Sequence, residues 1–181
     1  MNPVAEDVRE LTPRDAPALR EFFSQMPVED RTFFFEDVSD PAVIDAWASD
    51  ARRLRRCVAD RGRIVALGAL RPGADWTSHV ADLLLLVAPD ARRRGLGKRL
   101  ARRMLIEALE HGFSKVSVMI ATGNTGAIEM FQKLGFRPEA LLRDQLRSPE
   151  DGSLHDTVIL SHLVNENWAT MLTSGFEDEL R

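Results

Sequence analysis

A short segment rich in arginine and glycine has the residue types that bind a phosphate group. It reads, in order, Arg92, Arg93, Arg94, Gly95, Leu96, Gly97 and Lys98. Glycine lets a backbone approach an anion closely, and the arginine and lysine side chains supply the opposite charge. At the start of a helix, such a segment also directs unpaired backbone N–H groups at one point, and that arrangement binds phosphate.

The flanking sequence predicts that this segment joins a strand to a helix. The apolar run Leu83–Val87 is bounded by Asp82 and Pro89, which favours a strand buried on both faces. From Gly97 to His111, apolar residues recur at helical spacing with basic residues opposite them, which predicts an amphipathic helix. We therefore expect an anion-binding loop between the two elements.

Composition limits the classes of protein to which the chain can belong. Its 181 residues, 44% of them hydrophobic, suffice for one sizeable core. A net charge of -4 and a pI near 5.6 argue against a dedicated nucleic-acid binder. The single cysteine, Cys57, excludes an internal disulfide, and no Cys/His spacing resembles a zinc site, so no metal is expected. No run resembles a signal peptide or a membrane span, which predicts a cytoplasmic protein without a membrane partner.

Periodicity, caps and turn residues predict the remaining elements. Helices are expected from Thr12 to about Gln25, from Asp40 to about Leu54, and from Gly123–Gly126 to Gly135. The expected strands are Val8–Leu11, Arg56–Ala59, Arg63–Leu70, Trp76–Val87, Lys115–Ala121, Phe136–Leu146 and Leu154–Leu163. The helix after the glycine loop makes the strands on its two sides parallel neighbours. For Phe33–Phe35, packing beneath a loop and the wall of a substrate pocket are both open.

Two well-known phosphate loops do not fit the glycine segment. A Walker A loop ending at Gly97-Lys98 needs glycine at position 92 and serine or threonine at position 99, where the chain has Arg92 and Arg99. A dinucleotide fingerprint starting at Gly95 needs a glycine at position 100, where the chain has Leu100. Both classes are therefore excluded.

The pattern that remains is Arg92-x-x-Gly95-x-Gly97, after a strand and before a helix. It resembles the acetyl-CoA pyrophosphate loop of the GNAT superfamily of N-acetyltransferases. The segment from Asn124 through Phe131 to Gly135-Phe136 is similar to the second motif of that family, in the same order and at a matching spacing. The two motifs together span residues 82 to about 136, whereas the N-terminal third matches only in its order of elements.

The resemblance implies a binding site for acetyl-CoA. In such a site the glycine loop holds the pyrophosphate, and the backbone of the preceding strand, which often bulges, binds the pantetheine arm and polarises the thioester carbonyl. The helix of the second motif lines the same arm. The cofactor-binding residues that the resemblance implies are Leu86, Val87, Ala88, Arg92, Arg93, Arg94, Gly95, Leu96, Gly97, Lys98, Asn124 and Phe131.

The resemblance also implies a catalytic base but leaves the acid open. Asp82 occupies the strand position where the family frequently has a glutamate base; a solvent-facing acid, or one paired with an arginine, is the alternative. The family's usual general acid is a tyrosine, but Phe131 stands at that position and the chain contains no tyrosine. Water, Cys57, His155 or a serine remain as replacements, although Cys57 also fits a small buried hydrophobe and His155 a structural role.

The expected fold is α+β, with residues 1–164 forming one GNAT-like domain and residues 165–181 a tail. We expect a mixed, mostly antiparallel twisted sheet of about seven strands, with helices on both faces. The function implied is direct transfer of an acetyl group from acetyl-CoA to a primary amine of a small molecule or protein. Because the tyrosine is missing, a regulatory acyl-CoA-binding module with weak or no catalysis is the alternative. A homodimer is the default expectation for assembly.

Overall fold

Seven strands form one mixed sheet in a computed structural model of the chain, which describes residues 8–31, 37–50, 54–148 and 150–164. The strands are β1 (Val8–Glu10), β2 (Leu54–Asp60), β3 (Arg63–Pro72), β4 (Val80–Val87), β5 (Lys115–Ala121), β6 (Arg137–Arg147) and β7 (Leu154–Leu163). Their order across the sheet is β1-β2-β3-β4-β5-β7-β6, and every neighbouring pair is antiparallel except β4 and β5. The expected fold class is confirmed, whereas the Phe33–Phe35 segment and the tail at 165–181 lie outside the described residues.

Five helices accompany the sheet in the described part of the chain. They are α1 (Ala16–Gln25), α2 (Val28–Arg31), α3 (Pro41–Ser49), α4 (Leu96–Glu110) and α5 (Thr125–Lys133). The carboxylate of Asp40 accepts a hydrogen bond from the Ala42 amide at 2.8 Å and so caps α3, as expected. Among these helices, none is both long and apolar enough to cross a bilayer.

Two predicted boundaries are wrong, one at the start of β4 and one at the end of α3. The strand expected to begin at Trp76 begins at Val80, because Asp75–Thr77 forms a 3-10 turn in which Trp76 is 96% exposed. With so little of that side chain buried, packing does not extend the strand to it. The second helix ends at Ser49 rather than near Leu54, since Leu54 already pairs with Leu70 as the first residue of β2.

Helices cover both faces of the sheet, and two consecutive residues of β2 show this directly. Arg55 donates a hydrogen bond to the Trp47 carbonyl of α3, and its guanidinium lies 5.8 Å from the centre of the Trp47 ring. Its neighbour Arg56 bonds Glu107 of α4. Since successive strand residues point to opposite faces, α3 and α4 lie on opposite sides of the sheet.

A charge cluster holds α4 against the sheet. Glu107 is 1% exposed and accepts two hydrogen bonds from Arg56, at 2.9 and 2.7 Å, and two more from Arg103, at 2.9 and 2.6 Å. The close approach of the helix is possible because position 68 on β3 is glycine: a Cβ there would lie 3.0 Å from Met104 Cγ and 3.1 Å from Leu100 Cγ. Gly68 therefore allows the short distance between α4 and the sheet, and the cluster of Glu107, Arg56 and Arg103 holds the helix there.

Glu107→Gln should lower the free energy of unfolding by about 3 kcal/mol, because it leaves the largely buried Arg56 without its countercharge. Urea unfolding followed by circular dichroism measures this change. The matched control is Glu110→Gln, one turn away on the same helix and 54% exposed, which should change stability by less than about 0.5 kcal/mol. Equal effects of the two variants would contradict the assigned role of the cluster.

Candidate functional site

The parallel strands β4 and β5 separate soon after they begin. They pair at Val80/Lys115, Ala81/Val116 and Asp82/Ser117, and the pairing ends there. Beyond this point β4 continues to Val87 on β3, and β5 continues to Ala121 on β7. A gap therefore opens between them, with Asp82 and Ser117 at its closed end, which we call the vertex.

The backbone of β4 presents hydrogen-bonding groups to this gap. The Ala88 amide donates to the Val65 carbonyl and the Gly73 amide donates to the Val80 carbonyl, both at 2.9 Å. Because hydrogen-bonded pairs alternate along an antiparallel ladder, these bonds assign the even-numbered residues of β4 to β3. Leu83 faces β5 too, but its N–H belongs to the last bridge with Ser117. Leu85 and Val87 therefore direct their N–H and C=O groups into the gap, where an extended ligand can complete the ladder.

This register refines the expected contacts of β4. Of the three residues implied for the pantetheine arm, Val87 faces the gap, whereas the amides of Leu86 and Ala88 are turned towards β3. Leu85 occupies the position next to Val87 on the open side. The pairing of β4 with β3 is regular from Pro72/Ala81 to Ala66/Val87, so the expected bulge is not present against β3. Separation from β5, rather than a bulge, exposes these backbone groups.

The glycine loop places a helix N-terminus at the open end of the gap. Gly95 is the N-cap of α4 with a φ of 79°, a left-handed conformation that suits glycine, and no side chain caps the helix there. Leu96, Gly97 and Lys98 form the first turn, whose N–H groups precede the first bond of the helix, from the Arg99 amide to the Gly95 carbonyl at 3.1 Å. An anion is therefore favoured at this point.

The side-chain position of Gly97 faces neighbouring side chains rather than the anion site. A Cβ at this position would lie 3.4 Å from Met130 Sδ, 3.6 Å from Leu85 Cδ2 and 3.6 Å from Val87 Cγ2. The missing side chain therefore points at β4 and α5. The absence of a larger group lets the first turn of α4 approach both of them.

The basic residues of the loop differ in their surroundings. Arg92 forms an ion pair with Asp30 of α2 and donates from Nε to the Val87 carbonyl at 3.2 Å. Arg93 is exposed and adopts a left-handed φ of 62°. Arg94 lies near Asp90, whose pKa is lowered mainly by a hydrogen bond from Arg63 and in smaller part by the charges of Arg63 and Arg94. Lys98 is exposed in the first turn of α4. Arg92 thus links α2, the loop and the gap.

The second motif lies at α5. Asn124 caps this helix, its side-chain oxygen accepting from the Ala127 amide at 3.2 Å. Phe131 is 2% exposed and its ring centre lies 5.0 Å from that of Phe136 in an edge-on contact. Met130, one residue earlier, is the side chain that reaches towards Gly97. Phe131 therefore anchors α5 through apolar packing at the position where the family has its tyrosine.

Asp82 lies at the vertex with two polar neighbours. Its Oδ2 accepts a hydrogen bond from Arg71 Nη2 at 2.7 Å, and its Oδ1 accepts one from Ser117 Oγ at 3.0 Å. The Asp82 side chain points to the same face of β4 as that of Leu84. Leu84 pairs with Ala69 of β3, Ala69 pairs with Arg55 of β2, and Arg55 contacts α3. The carboxylate therefore faces away from α4.

Of the groups considered as replacements for the tyrosine, Cys57 lies away from the gap. It belongs to β2, with β3 between it and β4, and burial raises its pKa to about 11. His155 is exposed at the start of β7, where its Nε2 lies 2.9 Å from Ser153 Oγ. Ser117 is the serine that the structure brings to the vertex.

Sequence reasoning did not find Arg71 or Ser117. Ser117 follows from the parallel pairing once the register of β4 and β5 is known. Arg71 follows from the register of the β3–β4 hairpin, which the turn at Asp75–Thr77 determines. A strand that runs from Trp76 through that turn does not predict the pairing of Arg71 with Asp82.

The chain belongs to the acetyltransferase (GNAT) family, because the model of that family matches residues 17–136. It is also 33% identical over 87 residues to an uncharacterized N-acetyltransferase of Methanocaldococcus jannaschii, a match that covers 45% of this chain and 38% of the relative. The chain therefore aligns with well under two thirds of that relative's length.

Solved structures show the same fold. The ribosomal-protein-alanine N-acetyltransferase of Brucella melitensis matches with a TM-score of 0.76 at 21% identity, over 87% of this chain and 99% of that one. A Salmonella typhimurium protein described as an acetyltransferase, solved with its cofactor acetyl-CoA, matches with a TM-score of 0.76 at 20% identity, over 88% and 94%. At these identities the likeness establishes the fold.

Lys98→Glu should weaken the binding of CoA roughly tenfold, because it places a negative charge beside the first-turn amides of α4. Isothermal titration with CoA measures the change, and the loss should be smaller at high salt. Lys133→Glu makes the same change of net charge at the far end of α5, where the side chain is 76% exposed, and should leave binding unaltered. Equal dissociation constants for the two variants would contradict the anion site.

Cys57 should resist modification in the folded protein at pH 8. Its pKa, raised to about 11 by burial, keeps the thiol protonated there, and its side chain is fully buried. Titration with a disulfide reagent should detect no fast thiol in the native state and one after unfolding in urea. Rapid native reaction would return Cys57 to the candidates for the acid.

Proposed function

We propose that this protein is an N-acetyltransferase that moves an acetyl group directly from acetyl-CoA to a primary amine of a small molecule or protein. The observation that carries the proposal is the gap between β4 and β5, which has amides of a helix N-terminus at one end and a carboxylate at the other. Its length supports an extended ligand: five residues separate Val87 from Asp82, which is about 17 Å of strand.

The residues proposed to bind the cofactor fall into two groups along this gap. The first-turn amides at Leu96, Gly97 and Lys98, with Arg93 and Arg94 nearby, suit a pyrophosphate. The N–H and C=O groups of Leu85 and Val87 suit the amides of the pantetheine arm. Arg92 contributes by holding the Val87 carbonyl, and Asn124 and Phe131 by positioning α5.

The proposed chemistry at the vertex needs few protein groups. Acetyl-CoA supplies an activated thioester when bound. The Leu85 N–H is the first amide of β4 that faces the gap beyond the residues paired with β5, and it is placed to polarise a carbonyl oxygen. Asp82 takes a proton from the acceptor ammonium, directly or through water, since an amine attacks only when its lone pair is free.

The missing tyrosine does not prevent this reaction. A thiol has a pKa near 8.5, so a thiolate departs without full protonation in the transition state. Water and the Ser117 hydroxyl, which lies at the vertex, are the remaining proton donors close to the leaving sulfur. Phe131 in place of the tyrosine instead favours a modest rate of acetyl transfer, because a positioned general acid typically raises a reaction rate about 100-fold or more.

A second candidate is a regulatory acyl-CoA-binding module without catalysis. It is favoured by Phe131, whose buried ring has no proton to donate, and by the ion pair of Asp82 with Arg71. The two candidates share the cofactor site and differ at the vertex. For either one, cytoplasmic localisation and a homodimer stay predictions from the sequence.

Release of the CoA thiol distinguishes the two candidates. With acetyl-CoA and mixed pools of amines, the enzyme should release thiol in proportion to acceptor, whereas the module should bind CoA and release none.

Asp82→Asn should lower kcat/KM about 100-fold or more while CoA binding by titration is retained. The matched control is Asp90→Asn, which breaks another ion pair to β3, 2.5 Å from Asp90 Oδ2 to Arg63, and should keep full activity. Full activity in Asp82→Asn would exclude Asp82 as the base.

A further inference from the structure

An exposed arginine–aspartate pair lies at the vertex of the gap. Arg71 and Asp82 are opposite each other on β3 and β4, and their side chains meet at 2.7 Å. The side chains remain 41% and 55% exposed, so solvent and a solute reach both. An exposed pair of this kind contributes little to folding, about 0 to 1 kcal/mol.

The position of the pair coincides with the end of the gap where chemistry is proposed. Asp82 is the last residue of β4 that pairs with β5, and the face it occupies is the one opposite α4. A hydroxyl lies beside it on the same face, at Ser117 on β5, which donates to Asp82 at 3.0 Å. An acceptor that approaches the vertex from this face meets a positive charge, a negative charge and this hydroxyl side by side.

We propose that the acceptor is a free α-amino acid, with Arg71 as the residue that selects it by binding its carboxylate. This inference rests on the proposed acetyl transfer. In an α-amino acid the ammonium and carboxylate are attached to one carbon, so two opposite charges lie side by side, as in the Arg71–Asp82 pair. Ammonium on Asp82 and carboxylate on Arg71 give four charges that alternate in sign around a ring, and each is attracted by both neighbours.

Other amines lack this complementarity. A peptide N-terminus or a lysine side chain brings an ammonium without a carboxylate beside it, and Arg71 then repels it. A planar guanidinium also matches a carboxylate with two parallel hydrogen bonds, which a lysine in its place does not provide. The Arg71–Asp82 pair therefore distinguishes free α-amino acids from other amines by the arrangement of their charges, whatever their side chains.

Binding of the carboxylate also prepares Asp82 for its role as base. When Arg71 donates to the acceptor carboxylate, Asp82 loses part of its countercharge and accepts a proton from the ammonium. The amine nitrogen then forms a C–N bond with the thioester carbonyl carbon, and the C–S bond breaks with its electron pair on sulfur. The second proton of the nitrogen passes to solvent, and the thiolate takes one from solvent. The products are an N-acetyl amino acid and CoA.

The test compares matched acceptors by the rate of CoA thiol release. Each of a set of free L-amino acids is assayed beside its own α-amide, together with a peptide whose N-terminus is free. The acids should exceed their amides about tenfold or more in kcat/KM. This preference would oppose intrinsic reactivity, because the α-amides carry the less basic and less protonated amines.

Variants of Arg71 separate selection from structure. Arg71→Gln should raise KM for the acids about 10- to 100-fold while changing KM for the amides little, and Arg71→Lys should restore part of the loss. Arg63→Gln, which breaks the corresponding pair with Asp90 at the other end of β3, should leave both acceptor classes unchanged. Thermal unfolding of each variant with and without CoA checks that the fold and the cofactor site persist.

Three outcomes would overturn the inference. Equal kcat/KM for acids and amides, or preference for the peptide, would show that Arg71 does not select a carboxylate, while acetyl transfer itself would stand. An equal loss for both acceptor classes in Arg71→Gln would assign Arg71 to a structural role. No thiol release with any acceptor would overturn the proposed acetyl transfer, and this inference with it.

Discussion

The separation of β4 and β5 is the constraint on which the candidate site depends. Two parallel strands need a crossover, and α4 supplies it by starting at the open end of the gap. The separation of the two strands therefore leaves one edge of β4 unpaired beyond Asp82. The start of α4 also directs a helix N-terminus at the open end of the gap. Both results come from main-chain geometry.

The two ends of the gap accordingly use different means of recognition. At the loop, the first-turn amides of α4 and exposed basic side chains favour an anion without specifying its detailed shape. At the vertex, Arg71, Asp82 and Ser117 present side chains in a fixed arrangement determined by strand register.

Patterns that are local in the chain were predictable from the sequence. The crossover unit, the glycine loop, the hairpins and the cap at Asp40 each depend on residues close together, and the structure confirms these elements. Properties that depend on register were not predictable. The hydrogen bond between Ala88 and Val65 determines which residues of β4 face the gap. The turn at Asp75–Thr77 determines the partner of Asp82, and the sequence predicts a strand there because of Trp76. Neither leaves a signal in composition or periodicity.

Glu107 lies on the same helix as the anion site, so the orientation of α4 at its charge cluster affects the position of that site. Eleven residues separate it from Leu96, which is about 16 Å of helix at 1.5 Å per residue. A helix is stiff over that length, so a tilt of about 5° at the cluster displaces the first-turn amides by roughly 1.4 Å, enough to spoil hydrogen bonds to a bound pyrophosphate. The geometry of the proposed cofactor site is thus set in part by a buried carboxylate about 16 Å away along the helix.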